Sequence, residues 1–310
     1  DLAEIEYDAA VPWTNYVRGV AAVLQDEGYP LRGFDGLIHS TIPFGSGLSS
    51  SAALEVATAV VFDLIAGLNI DPVEMALLCQ RAENEFVGMN CGILDQYSST
   101  MGQAGCVLLL DCRDLTSTTR PVAPGIQGVI CDTRAPRALT GSEYTQRRAQ
   151  CEEGTRILAG FFPGVQALRD VSLEQLEAHR SSLSSVVYRR CRFVIEENER
   201  VLKMAAALVA GDFEGTANLA ADSYAGARDL YEISCQEMAW MMEAMTSGPG
   251  VIGARQAGAG FGGCMVAFVQ EGEVGAFAHH VEAHYHDTSG IEPQVYPVRA
   301  APGAGRLAPS

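Results

Sequence analysis

The spacing of apolar residues changes several times along the chain, and each change predicts an element. From Pro12 to Gln25 the apolar positions recur at helical spacing, with Val17, Val20, Ala21 and Leu24 on one face. Gly36–Ile42 reads as a strand. Pro43, Gly45 and Gly47 mark a loop, and from about Ser49 a long apolar run predicts a helix that ends near Gly67. Asp71 and Pro72 suit the N-cap and first position of a further helix reaching about Phe86. Residues 88–102 read as a loop and a short helix, and 106–112 and 128–133 as buried strands. The Thr- and Pro-rich stretch between them predicts a domain boundary. The second half reads as helices at 142–160, 173–183, 188–210, 213–222 and 234–247. A strand at Cys264–Val269, a helix at 273–286 and a strand at 294–298 follow, then a low-complexity tail expected to be disordered. Helices and strands do not alternate in a regular βαβ rhythm, so α+β is favoured over a doubly wound sheet.

A chain of 310 residues suits two domains. No apolar run approaches the roughly 18–20 residues of a membrane span, so no membrane association is expected. The 21 basic and 38 acidic residues give a net charge of -17, which disfavours nucleic acid and anionic lipid as partners while leaving room for a locally positive pocket. Lys203 is the only lysine, and it falls in a helical stretch. The nine cysteines are odd in number, scattered and without a CxxC pair, which argues against a disulfide framework or zinc knuckle and for a reducing cytoplasm. The chain opens on Asp1 without a start signal and is expected to be a fragment or a processed product.

Three segments carry chemistry. In PFGSGLSSSAA (43–53) glycines let several N–H groups converge, a helix begins immediately after, and three serines add hydroxyls, a combination suited to a polyphosphate. A Walker loop is excluded because its lysine is missing, and GxGxxG fails because Ser50 stands where its third glycine would be. Close helix packing by small residues is the competing explanation. The second segment holds Glu83 and CGILDQ (91–96). Asp95 is either a functional carboxylate or the cap of the following helix, and Glu83 either a ligand or a solvated charge. In the third, Gly258-Ala-Gly-Phe-Gly-Gly263, the glycines either wrap a phosphate or make a tight strand entry. His280 and His284 lie at i, i+4, but without HExxH they read as a solvated helix face. A serine hydrolase is disfavoured by the lack of a G-x-S-x-G elbow.

Taken in order, IPFGSGLSSSAALEVATA, GMNCGILDQ and GAGFGGC resemble the motifs of the GHMP kinase family, in the form found in its galactokinase branch, with Leu94 where the branch has Met. PWTNYVRGV (12–20), GSEYTQRR (141–148), ENERV (197–201) and YEISCQE (231–237) are lesser matches. The resemblance implies ATP-dependent phosphorylation of the C1 hydroxyl of α-D-galactose. It assigns the ATP phosphates to Gly45, Ser46, Gly47, Leu48, Ser49, Ser50 and Ser51, and Mg²⁺ to Ser51 and Glu83. Asp95 becomes the catalytic carboxylate, Gly92, Asp95 and Tyr144 the sugar contacts, and Trp13 a stacking partner for adenine. Gly258, Gly260, Gly262 and Gly263 become a closing loop. It further implies a ribosomal-S5-like domain over 1–122, a ferredoxin-like domain over 123–300, a tail at 301–310, and a monomer. A sister kinase acting on N-acetylgalactosamine, arabinose or a uronic acid, and a non-catalytic galactose and ATP sensor, are the alternatives. The family's first motif, GRVNLIGEHTDY, has no counterpart here, so the chain by itself is expected to be weakly active or inactive. Tyr224 and Leu230 depart from the family's His and Asp.

Overall fold

The computed structural model describes residues 2–135, 140–258 and 260–307, with the side chains of 140–142 and 144 left out. The fold is α+β and divides into two compact units, Asp1–Pro121 with Ala300–Ser310, and Val122–Arg299.

In the first unit, α1 (Thr14–Asp26) buries Val20, Ala21, Val23 and Leu24. This face packs with Val56, Ala59 and Phe62 of α2 (Ser50–Ala66) and with Met75, Leu78 and Cys79 of α3 (Pro72–Arg81). Each fully buried Leu, Val or Phe side chain contributes roughly 1.5–3 kcal/mol. Asp71 caps α3, accepting from the N–H groups of Val73 (2.9 Å) and Glu74 (3.3 Å), with Pro72 in the first turn. The predicted helix does continue past Arg81, but as a π-helical turn over Ala82–Val87, closed by Gly88 at φ 82°. The short α4 (Leu94–Met101) buries Ile93 and Tyr97 against Leu108, Leu110 and Leu115. The Tyr97 hydroxyl reaches the Leu115 carbonyl (2.9 Å) and Ser117 (3.0 Å), tying α4 to the antiparallel hairpin of β1 (Cys106–Leu110) and β2 (Ser117–Pro121).

Two expectations are corrected here. Gly36–Ile42 is irregular and largely exposed, because a strand needs a hydrogen-bonding neighbour and none is present among the described residues. The two units divide between Pro121 and Val122, inside the Thr- and Pro-rich stretch read as a domain boundary, and that stretch also contains β2, whose threonines pair with the apolar β1. The tail is held as far as Ala304: Ala300 O accepts from Gly105 N–H (3.1 Å), Gly303 N–H donates to Gly102 O (2.8 Å) and Ala304 N–H to Ser99 O (2.7 Å). Residues 308–310 lie outside the described residues.

The second unit is built on an antiparallel sheet of β3 (Ile126–Asp132), β4 (Val251–Gln256), β5 (Cys264–Gln270) and β6 (Gln294–Val298), ordered β4-β5-β3-β6. Within this unit that is the 4-1-3-2 strand order of a ferredoxin-like sheet. The sequence reading missed β4, where Gly253 and Arg255 interrupt the apolar pattern. The intervening helices are α5 (Thr140–Ala159), α6 (Leu173–Ala178), α7 (Ser185–Ala210), α8 (Phe213–Gly226) and α9 (Gln236–Thr246), with α10 (Val274–Ser289) before β6. Met238, Met241 and Met245 of α9 and Phe277, Val281 and Tyr285 of α10 pack on Val129, Cys131, Met265 and Ala267 of the sheet. A second cluster joins Leu158 of α5, Leu176 of α6 and Val187, Cys191 and Ile195 of α7. No described helix is long and apolar enough to cross a membrane.

Candidate active site

The serine loop has a backbone that few sequences could adopt. Gly45 (φ 72°), Gly47 (φ 84°) and Ser49 (φ 55°) are left-handed, and the residues between them are not. Such alternation turns successive N–H groups toward one concave side. Ser49 is the N-cap of α2, yet its side chain caps nothing and its φ is outside the extended range usual there. The first backbone bond of the helix runs from Ala53 N–H to Ser49 O (3.0 Å), so the N–H groups of Ser50, Ser51 and Ala52 are left for another acceptor. Ser46 is buried, its hydroxyl donating to Pro43 O (3.0 Å). A left-handed, uncapped helix start of this kind, with the positive end of the helix dipole behind it, has the geometry that can receive an anion.

One turn into α2, Glu55 is fully buried, and its i, i+4 relation to Ser51 places both on one helix face. The Gln96 side-chain amide, also fully buried, donates to Glu55 Oε2 (3.0 Å) and to Glu83 Oε2 (2.6 Å). Cys91 Sγ lies 3.3 Å from the same Glu83 oxygen. Burial, followed by the charge of Glu83, pushes the Glu55 carboxyl up to about 8; the amide of Gln96 opposes the shift, and the nearby Asp95 adds to it. Burial and Glu83 also push the Cys91 thiol up to about 12. The loop between is fastened by Asn84 Oδ1, which accepts from Cys91 N–H (2.8 Å), and by Gln80, which donates to Cys91 O (3.2 Å).

Asp95 occupies the first turn of α4, one residue before Gln96, and is exposed. Ile93 stands at the N-cap, so Asp95 does not cap the helix as one sequence reading allowed. Glu83 is buried in the π-turn, contrary to the solvated reading. The outward position of Asp95 follows from the facing of α4. Ile93, Gln96 and Tyr97 face inward, which turns Leu94 and Asp95 outward. Gly92 is exposed, with nothing near the position of a Cβ. Trp13 is exposed at the start of α1, and no described hydrogen bond or ring contact links it to the serine loop. Glu55 and Gln96 were not singled out from sequence. The available signal was that Glu55 is the only Asp, Glu, Lys or Arg between Asp35 and Asp63, set in an apolar helix.

The glycine run of the second unit forms the β4–β5 connection. Gly258, Gly260, Phe261, Gly262 and Gly263 all have positive φ. Phe261 N–H donates to Ile233 O (2.7 Å), Gly262 N–H to Met238 Sδ (3.0 Å), and Gly263 O accepts from the N–H (3.0 Å) and hydroxyl (2.8 Å) of Thr133. At Gly260 a Cβ would stand 2.2 Å from Ile233 O. Arg147 of α5 stacks over Phe261, 5.7 Å from its centroid, and donates to the carbonyls of Tyr231 (2.8 Å) and Glu232 (3.0 Å). Tyr144 belongs to α5, but its side chain lies outside the described residues. His280 meets Ser247 (3.0 Å) and stacks on His284, and no cluster of potential metal ligands is present among the described residues.

Residues 15–103 match the model of the GHMP kinases N terminal domain, and 204–287 that of the GHMP kinases C terminal. The chain is 45% identical over 295 residues to a galactokinase of Roseiflexus sp. (strain RS-1), spanning 95% of this chain and 75% of that protein. It is 43% identical to a galactokinase of Chloroflexus aggregans, spanning 98% and 78%. Among solved structures it is similar to Lactococcus lactis galactokinase complexed with galactose, with a TM-score of 0.93 at 35% identity over 99% of this chain and 80% of that one. L. major mevalonate kinase shares the fold at 16% identity and a TM-score of 0.59. The serine loop, the CGILDQ segment and the glycine run thus sit in a chain that belongs to the galactokinases, within the GHMP kinases.

Proposed function

We propose that the chain transfers the γ-phosphoryl group of ATP to the C1 hydroxyl of α-D-galactose, giving galactose 1-phosphate and ADP. The observation that carries this reading is the Gln96 bridge. It fastens the turn bearing Asp95 to the helix that opens on the serine loop, so that a proton acceptor and an anion site share one framework. Membership of the galactokinases supplies the sugar.

Phosphoryl transfer asks mainly for positioning and charge neutralisation. In this reading the backbone from Gly45 to Ser51, including the N–H groups of Ser46 and Leu48, holds the phosphates with the hydroxyls of Ser49, Ser50 and Ser51. Asp95, exposed and with no hydrogen bond to its carboxylate among the described residues, receives the sugar's C1 hydroxyl. It either accepts the proton late or aligns the oxygen for attack. By the family resemblance, Gly92 and Tyr144 would contact the sugar, Trp13 would stack on adenine, and Gly258, Gly260, Gly262 and Gly263 would supply the closing loop. The donor set fits Mg²⁺, which prefers hard oxygens and one or two protein ligands beside phosphates. Glu83 would hold it with the Ser51 hydroxyl, its Oε2 being already fixed by Gln96. When bound, the ion neutralises phosphate charge. The reading extends to a monomer in a reducing cytoplasm, where nine thiols would persist.

A coupled ADP-release assay over a panel of sugars tests the proposal. ADP release should depend on galactose and fall by about 10²–10⁴ in Asp95→Asn. Faster turnover with N-acetylgalactosamine, arabinose or a uronic acid would reassign the substrate. Binding of galactose and nucleotide without turnover would make the protein a sensor.

A further inference from the structure

Two buried carboxyl groups, Glu55 and Glu83, are joined through a single amide, and neither plays the part of the other. Gln96 has two amide protons and spends one on each carboxyl group. Glu55 also lies close enough to Glu83 to feel its charge. Its second oxygen, Oε1, is buried and meets no donor. None of the groups that perturb Glu55 is basic. Glu55 is the more deeply buried of the two, and Glu83 receives both Gln96 and Cys91 on one oxygen.

Resting on the kinase reading above, we propose that Glu55 and Gln96 are positioning residues. Joined through the Gln96 amide, they clamp Glu83 and the Asp95 turn to the first turns of α2, and so fix the metal–nucleotide and proton-accepting groups in one register. Glu55 touches no reacting atom in this proposal. It acts through Gln96, whose backbone neighbour is Asp95, and through Glu83. The clamp joins three elements distant in sequence: α2, the π-turn after α3, and α4.

The test compares Glu55→Gln, Glu55→Leu and Gln96→Leu with the parent protein. Gln at position 55 keeps an oxygen for Gln96 and offers N–H to Glu83, so this variant should match the parent within about two-fold in every measurement. The two Leu variants fill the space without hydrogen bonds. Without ligand, they should speed hydrogen exchange at least ten-fold in peptides covering residues 83–97, with exchange in β3–β6 unchanged. They should weaken binding of Mn²⁺–ADP, read by electron paramagnetic resonance, at least ten-fold. They should also lower kcat at least ten-fold, with the galactose KM within about three-fold. Unchanged exchange across 83–97 in a folded Leu variant would overturn the clamp, as would a Glu55→Gln variant as impaired as Glu55→Leu. If the exchange results hold but the parent protein neither turns over galactose nor binds Mn²⁺–ADP, the clamp stands and the kinase reading fails.

Discussion

Gly258 and Gly260 lie two residues apart with similar left-handed backbones, φ 63° and 79°, but in different surroundings. At Gly258 a Cβ would meet nothing within 4 Å, whereas at Gly260 it would stand 2.2 Å from Ile233 O and 3.0 Å from Ile233 Cβ. The carbonyl cannot retreat easily. Residues 230–232 are pinned by Arg147, which donates to Tyr231 O and Glu232 O, and by Arg190, which donates to Leu230 O and the Glu232 carboxylate. Ile233 N–H is itself bonded to Ala227 O (3.1 Å). Alanine at either site bears the left-handed penalty of about 1 kcal/mol. Alanine at 260 adds a backbone overlap of about 1–3 kcal/mol. Gly258→Ala should therefore cost about 1 kcal/mol and Gly260→Ala about 3. In a unit of this size each kcal/mol moves the melting temperature by roughly 2–4 °C, giving shifts of about 3 °C and about 9 °C in thermal unfolding of the ligand-free protein. Equal shifts for the two variants would show that the glycine loop does not rest on Ile233, and the argument would fall.

Glu197 accepts hydrogen bonds from Ser223 (2.5 Å), Arg200 (2.7 Å) and Arg255 (2.8 Å). Burial works to raise its carboxyl, but Arg255, Ser223 and Arg200 outweigh burial and hold it below the usual carboxylate range. A depressed acid stabilises the fold above its unfolded value and loses that contribution as pH falls through the folded one. Glu197→Gln should thus cost about 2 kcal/mol at pH 7, and urea titrations should show the gap to the parent closing as pH drops below about 4. A gap that widens on acidification would reverse the sign and refute the assignment. Asp71→Ala removes the cap of α3 and should cost about 1 kcal/mol by the same urea titration, while Asp71→Asn, which can still accept from Val73 and Glu74, should recover most of it.

What could be read from the sequence is what depends on local pattern. Asp71-Pro72 announces its helix because cap and first-turn proline act on the next few residues, and the apolar stripe of α1 has no other use than burial. The serine loop was visible because Gly45, Gly47 and the uncapped Ser50 start have backbone consequences that follow from residue type. Elements whose state depends on distant partners were not legible. Gly36–Ile42, with Leu37, Ile38 and Ile42, suits a strand by residue type, but residue type supplies no neighbour. β2 is threonine-rich and only becomes a strand because Leu108 and Leu110 of β1 pair with Thr119 and Ser117. The same limit applied to the site. Asp95 and Glu83 stood out beside recognisable motifs, whereas Gln96 looked like an ordinary helix residue. Its importance lies in reaching Glu55, 41 positions away.

The net charge of -17 and a polyphosphate ligand look incompatible, and the serine loop shows why they are not. No lysine or arginine occurs between Pro43 and Ile70, and Arg81 beyond them is engaged by Glu85, Asp26 and Glu27. Attraction at this loop therefore comes from peptide dipoles, which act over the few ångströms of a hydrogen bond. The acidic surface acts at longer range and is screened within about 8–10 Å at physiological salt. The dipoles suffice to receive phosphate oxygens but not to balance them, because the same framework also carries Glu83 and Asp95. Adding a nucleotide to two carboxylates leaves an excess of negative charge that no basic group perturbing Glu55 offsets. In the proposed reaction a divalent cation arriving with the nucleotide would remove that excess, which is the physical reason for proposing a carboxylate ligand at position 83 rather than a lysine.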